Sequence, residues 1–213
     1  MKSTTRGQNR QDIPGPQDNY AEAVRRAFAD LGGQSDEQVR WLGGEPCAGG
    51  WRLPVLNDPW TVDPPAQRIT TSGGLPVGPV WSVLSLHYLA VVARPEPRDP
   101  EITFADLPSG RTYAGVYQGR VVRRLCAKVG RNADTLDKAC KSLGGQPAAG
   151  GDLAYEFQAF PRVSLRLLWH AADDEFPPSA TLLLPGNIAE FFCVEDIVVL
   201  SEALVSRLGG AGF

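Results

Sequence analysis

The chain reads as an α+β protein, a mostly antiparallel sheet packed with helices in a single domain. Short runs rich in β-branched and aromatic residues fall into two groups, residues 51–71 and 152–185, with turn residues between the runs. Helical periodicities precede, separate and follow those groups. Strand and helix do not alternate regularly, as a parallel sheet would require. The pattern leaves open whether the two strand groups join in one mixed sheet.

Each element has its own signal. Tyr20, Val24, Phe28 and Leu31 fall at helical spacing, and Gly32 and Gly33 stop the run. Ser35 caps a second short helix that uses Val39 and Leu42 and ends at Gly43 and Gly44. WRLPVLN, PWTVD and QRITT then form a small meander of strands, broken by Asn-Asp-Pro and Pro-Pro. Pro79 suits the first turn of a helix, and VWSVLSLHYLAVVA is apolar on nearly every face, as a central buried helix would be. ARPEPRDP is the candidate linker between halves, and EITFADLPSG a short strand entering a turn. A helix is expected over residues 113–129, with Val116, Val121, Leu125 and Val129 on its apolar stripe. Asn132 caps another, carrying Leu136, Ala139, Cys140 and Leu143. DLAYEFQAF, VSLRLLWHA and SATLLLP are strands, and a last helix starts near Asn187 or at Glu195 and Asp196.

Composition narrows the function classes. At 213 residues the chain can bury roughly 70% of its unfolded surface, so its core needs no staples. The net charge of −3, without a basic block, gives nucleic acid no electrostatic footprint. The longest apolar stretch falls short of about 18 residues and is broken by Ser82, Ser85 and His87, so no membrane span is expected. The N-terminal residues lack the apolar segment of a secretory signal, and a cytoplasmic location is expected. Residues 1–18 read as a disordered tail, 19–208 as the folded domain and 209–213 as a flexible end. Cys47, Cys126, Cys140 and Cys193 are scattered without a C-x-x-C pair and read as small packed side chains.

Few residues stand out chemically. Asp173, Asp174 and Glu175 interrupt two apolar runs. They form either a solvated turn or a cluster with one acid turned inward, towards Arg162 or a ligand, and Phe176 argues for inward packing. Arg162, at a strand junction, can fork onto a carboxylate or phosphate, or pair with Asp152 or Glu156. His87, on the apolar helix, is either a hydrogen-bonded core residue or an axial ligand to a metal or tetrapyrrole, and His170 is similar. Two histidines cannot build a multi-histidine metal site, and no metal site is expected. G-x-S-x-G, P-loop and dinucleotide fingerprints are all missing.

WSVLSLHYL, FADLPSGRTYAGVY, GDLAYEFQAFPRVSLRLLWHAADDEFPPSATLLLP and EDIVVL together resemble the uncharacterised bacterial and archaeal family DUF3786, over roughly residues 21–204. The most specific part is the Phe-Pro-Arg strand junction combined with Trp169, the acidic pair and Phe-Pro. The resemblance singles out His87, Tyr88, Leu107, Pro108, Gly110, Asp152, Pro161, Arg162, Trp169, Asp174, Glu175, Phe176, Pro177, Glu195 and Asp196. It also implies a frequent fusion to an N-terminal four-cysteine iron–sulfur domain, like that of corrinoid iron–sulfur proteins. This chain lacks those cysteines, so a cluster would come from a partner.

The expected function is therefore an accessory domain that binds a cofactor, of unknown identity, or a redox or iron–sulfur partner. Arg162 would hold an anionic group beside Asp174 and Glu175, Trp169 and Phe176 would form an apolar wall, and His87, Tyr88 and Asp152 complete the candidate set. Two alternatives stand beside it. One is an enzyme using Asp174 or Glu175 as a buried general base, which full exposure of those acids would exclude. The other is an interaction module without a small-molecule site.

Overall fold

The computed structural model describes residues 16–213, with side chains from Tyr20 onward. The tail expected over residues 1–18 lies outside the described residues up to residue 15. Its last three residues already belong to helix α1 (Pro16–Asp30). Ala27, Phe28 and Leu31 carry the buried side of that helix and its end. Ser35 caps α2 (Asp36–Trp41) by accepting a hydrogen bond from the Gln38 amide at 3.1 Å.

Strands β1 (Glu45–Cys47), β2 (Gly50–Val55), β3 (Asp58–Asp63) and β4 (Arg68–Thr70) form one antiparallel sheet in chain order. Strands β5 (Gln146–Pro147), β6 (Leu153–Phe160), β7 (Val163–His170) and β8 (Ser179–Leu183) form a second. The sheets are separate, not one mixed sheet. Each group is a meander, so every strand finds its neighbours inside its own group. Between the sheets the Leu56 amide donates to the Ala159 carbonyl at 3.3 Å.

Helix α3 (Pro79–Leu89) is central, as its all-round apolarity requires: Trp81, Leu84, Leu86, Tyr88 and Leu89 are all buried. Tyr88 stacks on Phe160 at 4.7 Å between ring centroids, and Trp81 meets Trp60 edge-on at 5.9 Å. Helix α7 (Val194–Leu208) packs beside α3 and buries Ile197, Val198, Leu200 and Leu204. One continuous apolar core joins helices and both sheets.

Three expectations change. The helix expected over residues 113–129 is α4 (Gly110–Tyr117), a π-helical stretch (Gln118–Arg123) and α5 (Arg124–Ala127). The π turn rotates the stripe, so Val121 and Leu125 are buried while Val116 is exposed. The expected strand over residues 101–110 is a single bridge, Ile102 to Leu184, followed by the 3-10 turn Phe104–Asp106. The linker is instead a fastened strap. Gln38 donates to the carbonyls of Val91 and Ala93 at 3.1 and 2.9 Å, Asn187 to that of Glu96 at 2.7 Å, and Arg98 pairs with Glu190 at 2.9 Å.

Helix α6 (Ala133–Ser142) has the predicted Asn132 cap, which accepts from the Thr135 amide at 2.8 Å. At the far end of the chain, Phe213 lies 4.9 Å from the Trp60 ring, with the Arg207 guanidinium 3.6 Å over its face. Among the described residues, no helix is long and apolar enough to cross a membrane.

Candidate functional site

Strand β7 alternates. Val163, Leu165, Leu167 and Trp169 turn into the core, while Ser164 and Arg166 stay half-buried on the other face. Gln158 pairs with Ser164 and Glu156 with Arg166 across β6–β7. Arg162 sits in the turn that joins these strands. Gln158, Arg162, Ser164 and Arg166 make the polar floor of a groove of about 710 Å³. The strap at residues 95–101 and the segment at residues 185–191 form its sides, bringing in Arg98, Glu101, Asn187 and Phe191.

Arg162 is held from below. Its guanidinium lies 3.8 Å over the Trp41 ring, and its Nε donates to the Trp41 carbonyl. Its backbone amide donates to the Tyr88 hydroxyl at 3.2 Å, and that hydroxyl donates to the Leu42 carbonyl at 2.6 Å. Burial pushes the Tyr88 phenol well above its ordinary range, so it stays protonated. Gly43, at φ +84°, makes the approach possible: a Cβ there would stand 2.3 Å from Pro161 Cβ. Among the described residues Arg162 makes no ion pair. The other two arginines do, Arg166 with Glu101 and Arg98 with Glu190. Arg166 Nε is buried with no partner among the described residues.

The remaining candidates lie elsewhere. Arg162 meets neither Asp152 nor Glu156. Asp152 stands at the other end of β7, accepting from the Ala171 amide at 2.8 Å, with His170 Nδ1 4.0 Å away. Asp174 and Glu175 are also beyond that end, separated from Arg162 by eight strand residues, roughly 25 Å. The acidic segment closes on itself. Asp173 accepts from the amides of Glu175 and Phe176 at 2.9 and 2.7 Å, which holds its carboxyl below the usual carboxylate range. Asp174 and Glu175 are exposed, and Phe176 is 65% exposed. A buried general base is not formed there. Nor is the apolar wall: Trp169 faces the core, where its Nε1 donates to the Gly130 carbonyl at 2.9 Å.

His87 occupies a third place. Its Nδ1 lies 2.9 Å from Asp196 Oδ2, tying α3 to α7. The Asp196 hydrogen bond raises the imidazole's pKa against the opposing effect of burial. Burial pushes Asp196 up, but the hydrogen bond and charge of His87 outweigh it and leave the carboxyl below its ordinary value. With Nδ1 so engaged, His87 is a helix-to-helix tie. Among the described residues, no three His, Cys, Asp or Glu side chains are gathered to hold a metal ion.

At the groove the structure brings together Arg162 and Tyr88, while Asp152 donates its amide to the Trp169 carbonyl at 2.9 Å at the other end of the sheet and His87 meets Asp196 between helices. Arg98, Gln158, Ser164 and Arg166 line the groove and Trp41 lies beneath Arg162, and none of these five was singled out by sequence. The alternation in VSLRLLWH does place Ser164 and Arg166 on the face opposite the core. Nothing local signals that Trp41 and Arg98 would join them.

The family model described as a domain of unknown function, DUF3786, matches residues 41–207, and the chain belongs to that family. No curated protein and no solved structure matches.

Proposed function

We propose that this member of the DUF3786 family is an accessory binding module whose groove at Arg162 receives an anionic group of a cofactor or of a redox partner. One observation carries the reading: a guanidinium fixed on an indole face, at a groove, with no carboxylate paired to it among the described residues. Its Nε is used by the Trp41 carbonyl, which leaves the terminal nitrogens to grip a carboxylate or phosphate in the forked geometry arginine favours. Arg166 and Arg98 are already matched by Glu101 and Glu190, which leaves Arg162 as the contact for the anion, and Ser164 supplies a hydroxyl. Pro95, Pro161 and Phe191 give apolar surface for the body of the bound molecule. In this reading any iron–sulfur cluster is the partner's, since the four cysteines here are scattered.

The test is native mass spectrometry and absorbance on the protein purified anaerobically, beside Arg162→Gln. The reading expects a bound mass, or an anionic partner captured in complex, that Arg162→Gln loses while still folded. Retention of the same mass or complex by Arg162→Gln would contradict it. The interaction-module alternative draws support from Phe176 and Val92, both exposed, but these are single residues and not a patch.

A further inference from the structure

A second hollow, of about 510 Å³, opens between α1, α3 and α7, away from the Arg162 groove. Its character is different. Val80, Trp81, Val83, Leu84, Val199 and Phe213 give it an apolar lining. Four charged side chains, Arg120, Arg124, Asp196 and Glu202, also line it. Three of these are already matched. Asp196 is held by His87, and Arg120 reaches Glu202 at 2.6 Å and Glu195 at 3.4 Å. Arg124 makes no ion pair or side-chain hydrogen bond among the described residues. The π-helical stretch Gln118–Arg123 lies immediately before Arg124 and carries Arg120, and such widened turns recur at binding sites.

We infer that this hollow binds a small monocarboxylate with an apolar body, the body against Trp81, Val83 and Val199 and the carboxylate on Arg124. The volume lies within the range of small-molecule sites, and the lining is mostly apolar with a few placed charges. The charge requirement is specific. Arg124 is the charged side chain of the lining with no charged partner among the described residues, and its guanidinium is complementary to one anion. A dicarboxylate would bring its second charge against apolar walls without a partner, which disfavours it. An uncharged apolar molecule would leave Arg124 unused and bind more weakly.

The experiment titrates the full-length chain with decanoate and, separately, with decanol, followed by calorimetry. Decanoate is expected to bind at one site. Arg124→Gln should weaken it about tenfold, the value of one charge-assisted contact, and leave decanol unchanged. Val83→Trp, which fills the hollow from a partly exposed position, should abolish both. If Val83→Trp fails to fold, Val199→Trp makes the same test from the facing helix. Arg162→Gln should leave decanoate binding intact, so this site and the Arg162 groove stand or fall separately. No decanoate binding by the full chain, equal affinity in Arg124→Gln, or binding that survives the filled hollow would each overturn the inference.

Discussion

The guanidinium of Arg162 lies flat on the indole of Trp41, 3.8 Å from its centre, and the same two residues are joined through the Trp41 carbonyl. The contact spans α2 and the β6–β7 turn, far apart in sequence. It fixes the cation before any ligand arrives, which lowers the ordering cost of binding. Trp41→Leu should therefore weaken anion binding in the groove by about 0.5–2 kcal/mol, the range for a cation–π contact. Calorimetric titration of this variant with pyrophosphate measures the loss. An unchanged affinity would mean that the stacking does not prepare the site.

Tyr88 holds the same corner from inside. Replacing it by Phe removes an acceptor from the Arg162 amide and a donor to the Leu42 carbonyl in one step. Leaving such groups buried and unpaired costs about 1–3 kcal/mol. Tyr88→Phe should lower the denaturant midpoint accordingly, with an unchanged m-value. A stability equal to the parent's would show that water replaces the hydroxyl.

Trp169 belongs to the core and not to the binding groove. Trp169→Phe leaves the Gly130 carbonyl without its donor and opens a void, and should cost about 2–4 kcal/mol. Groove binding should persist at temperatures where the variant is folded. Loss of binding without loss of stability, read by calorimetry and thermal unfolding together, would return Trp169 to the site.

The acidic turn is a solvated hairpin closed by Asp173. Asp174→Asn and Glu175→Gln should each change stability by less than about 0.5 kcal/mol and leave groove binding unaltered. Asp173→Ala removes the acceptor for two backbone amides and should cost more than either of the other two substitutions. Equal effects for all three substitutions in urea melts would contradict this division.

The His87–Asp196 pair gives stability a pH dependence with a definite sign. The folded imidazole titrates above its ordinary value of 6.5, so its stabilisation is fully present below that value and is lost as pH rises through the raised one. Asp196 titrates below its ordinary 3.8, so its share is present above that value and lost as pH falls through the lowered one. Asp30 adds a smaller favourable charge on His87. The pair thus contributes most between about pH 4 and 6.5. His87→Gln should flatten the decline above pH 6.5 in a series of denaturant melts. An identical pH profile in the variant would show that the pair does not couple to folding.

Local signals carried the fold well. The Ser35 and Asn132 caps, the Pro79 start of α3, the Phe-Pro-Arg junction and the alternation in β7 are each set by residues within a few positions of one another. What sequence did not reveal depends on contacts between distant segments. The strap at residues 93–100 looks like a linker because its anchors, Gln38 and Asn187, lie more than fifty residues away on one side and about ninety on the other. The π turn leaves no mark in the periodicity until the burial of Val121 is compared with the exposure of Val116. For the candidate site, the place of Arg162 in the β6–β7 turn was legible because Phe-Pro-Arg separates two strand patterns. Its supposed acidic partners were not partners, since a strand of eight residues holds them at opposite ends of the molecule's second sheet. Trp41, its actual partner, has no signal beyond being an aromatic at a helix end.

The central claim is that Arg162 is a prepared anion contact. The most direct measurement is a calorimetric titration of pyrophosphate into the parent protein and Arg162→Gln, at low and at moderate salt. The account predicts one site in the parent, weakened about tenfold or more by the substitution and weakened in the parent by salt, with both proteins folded at the titration temperature. Equal affinity in the two proteins, or no binding by the parent at low salt, would contradict it.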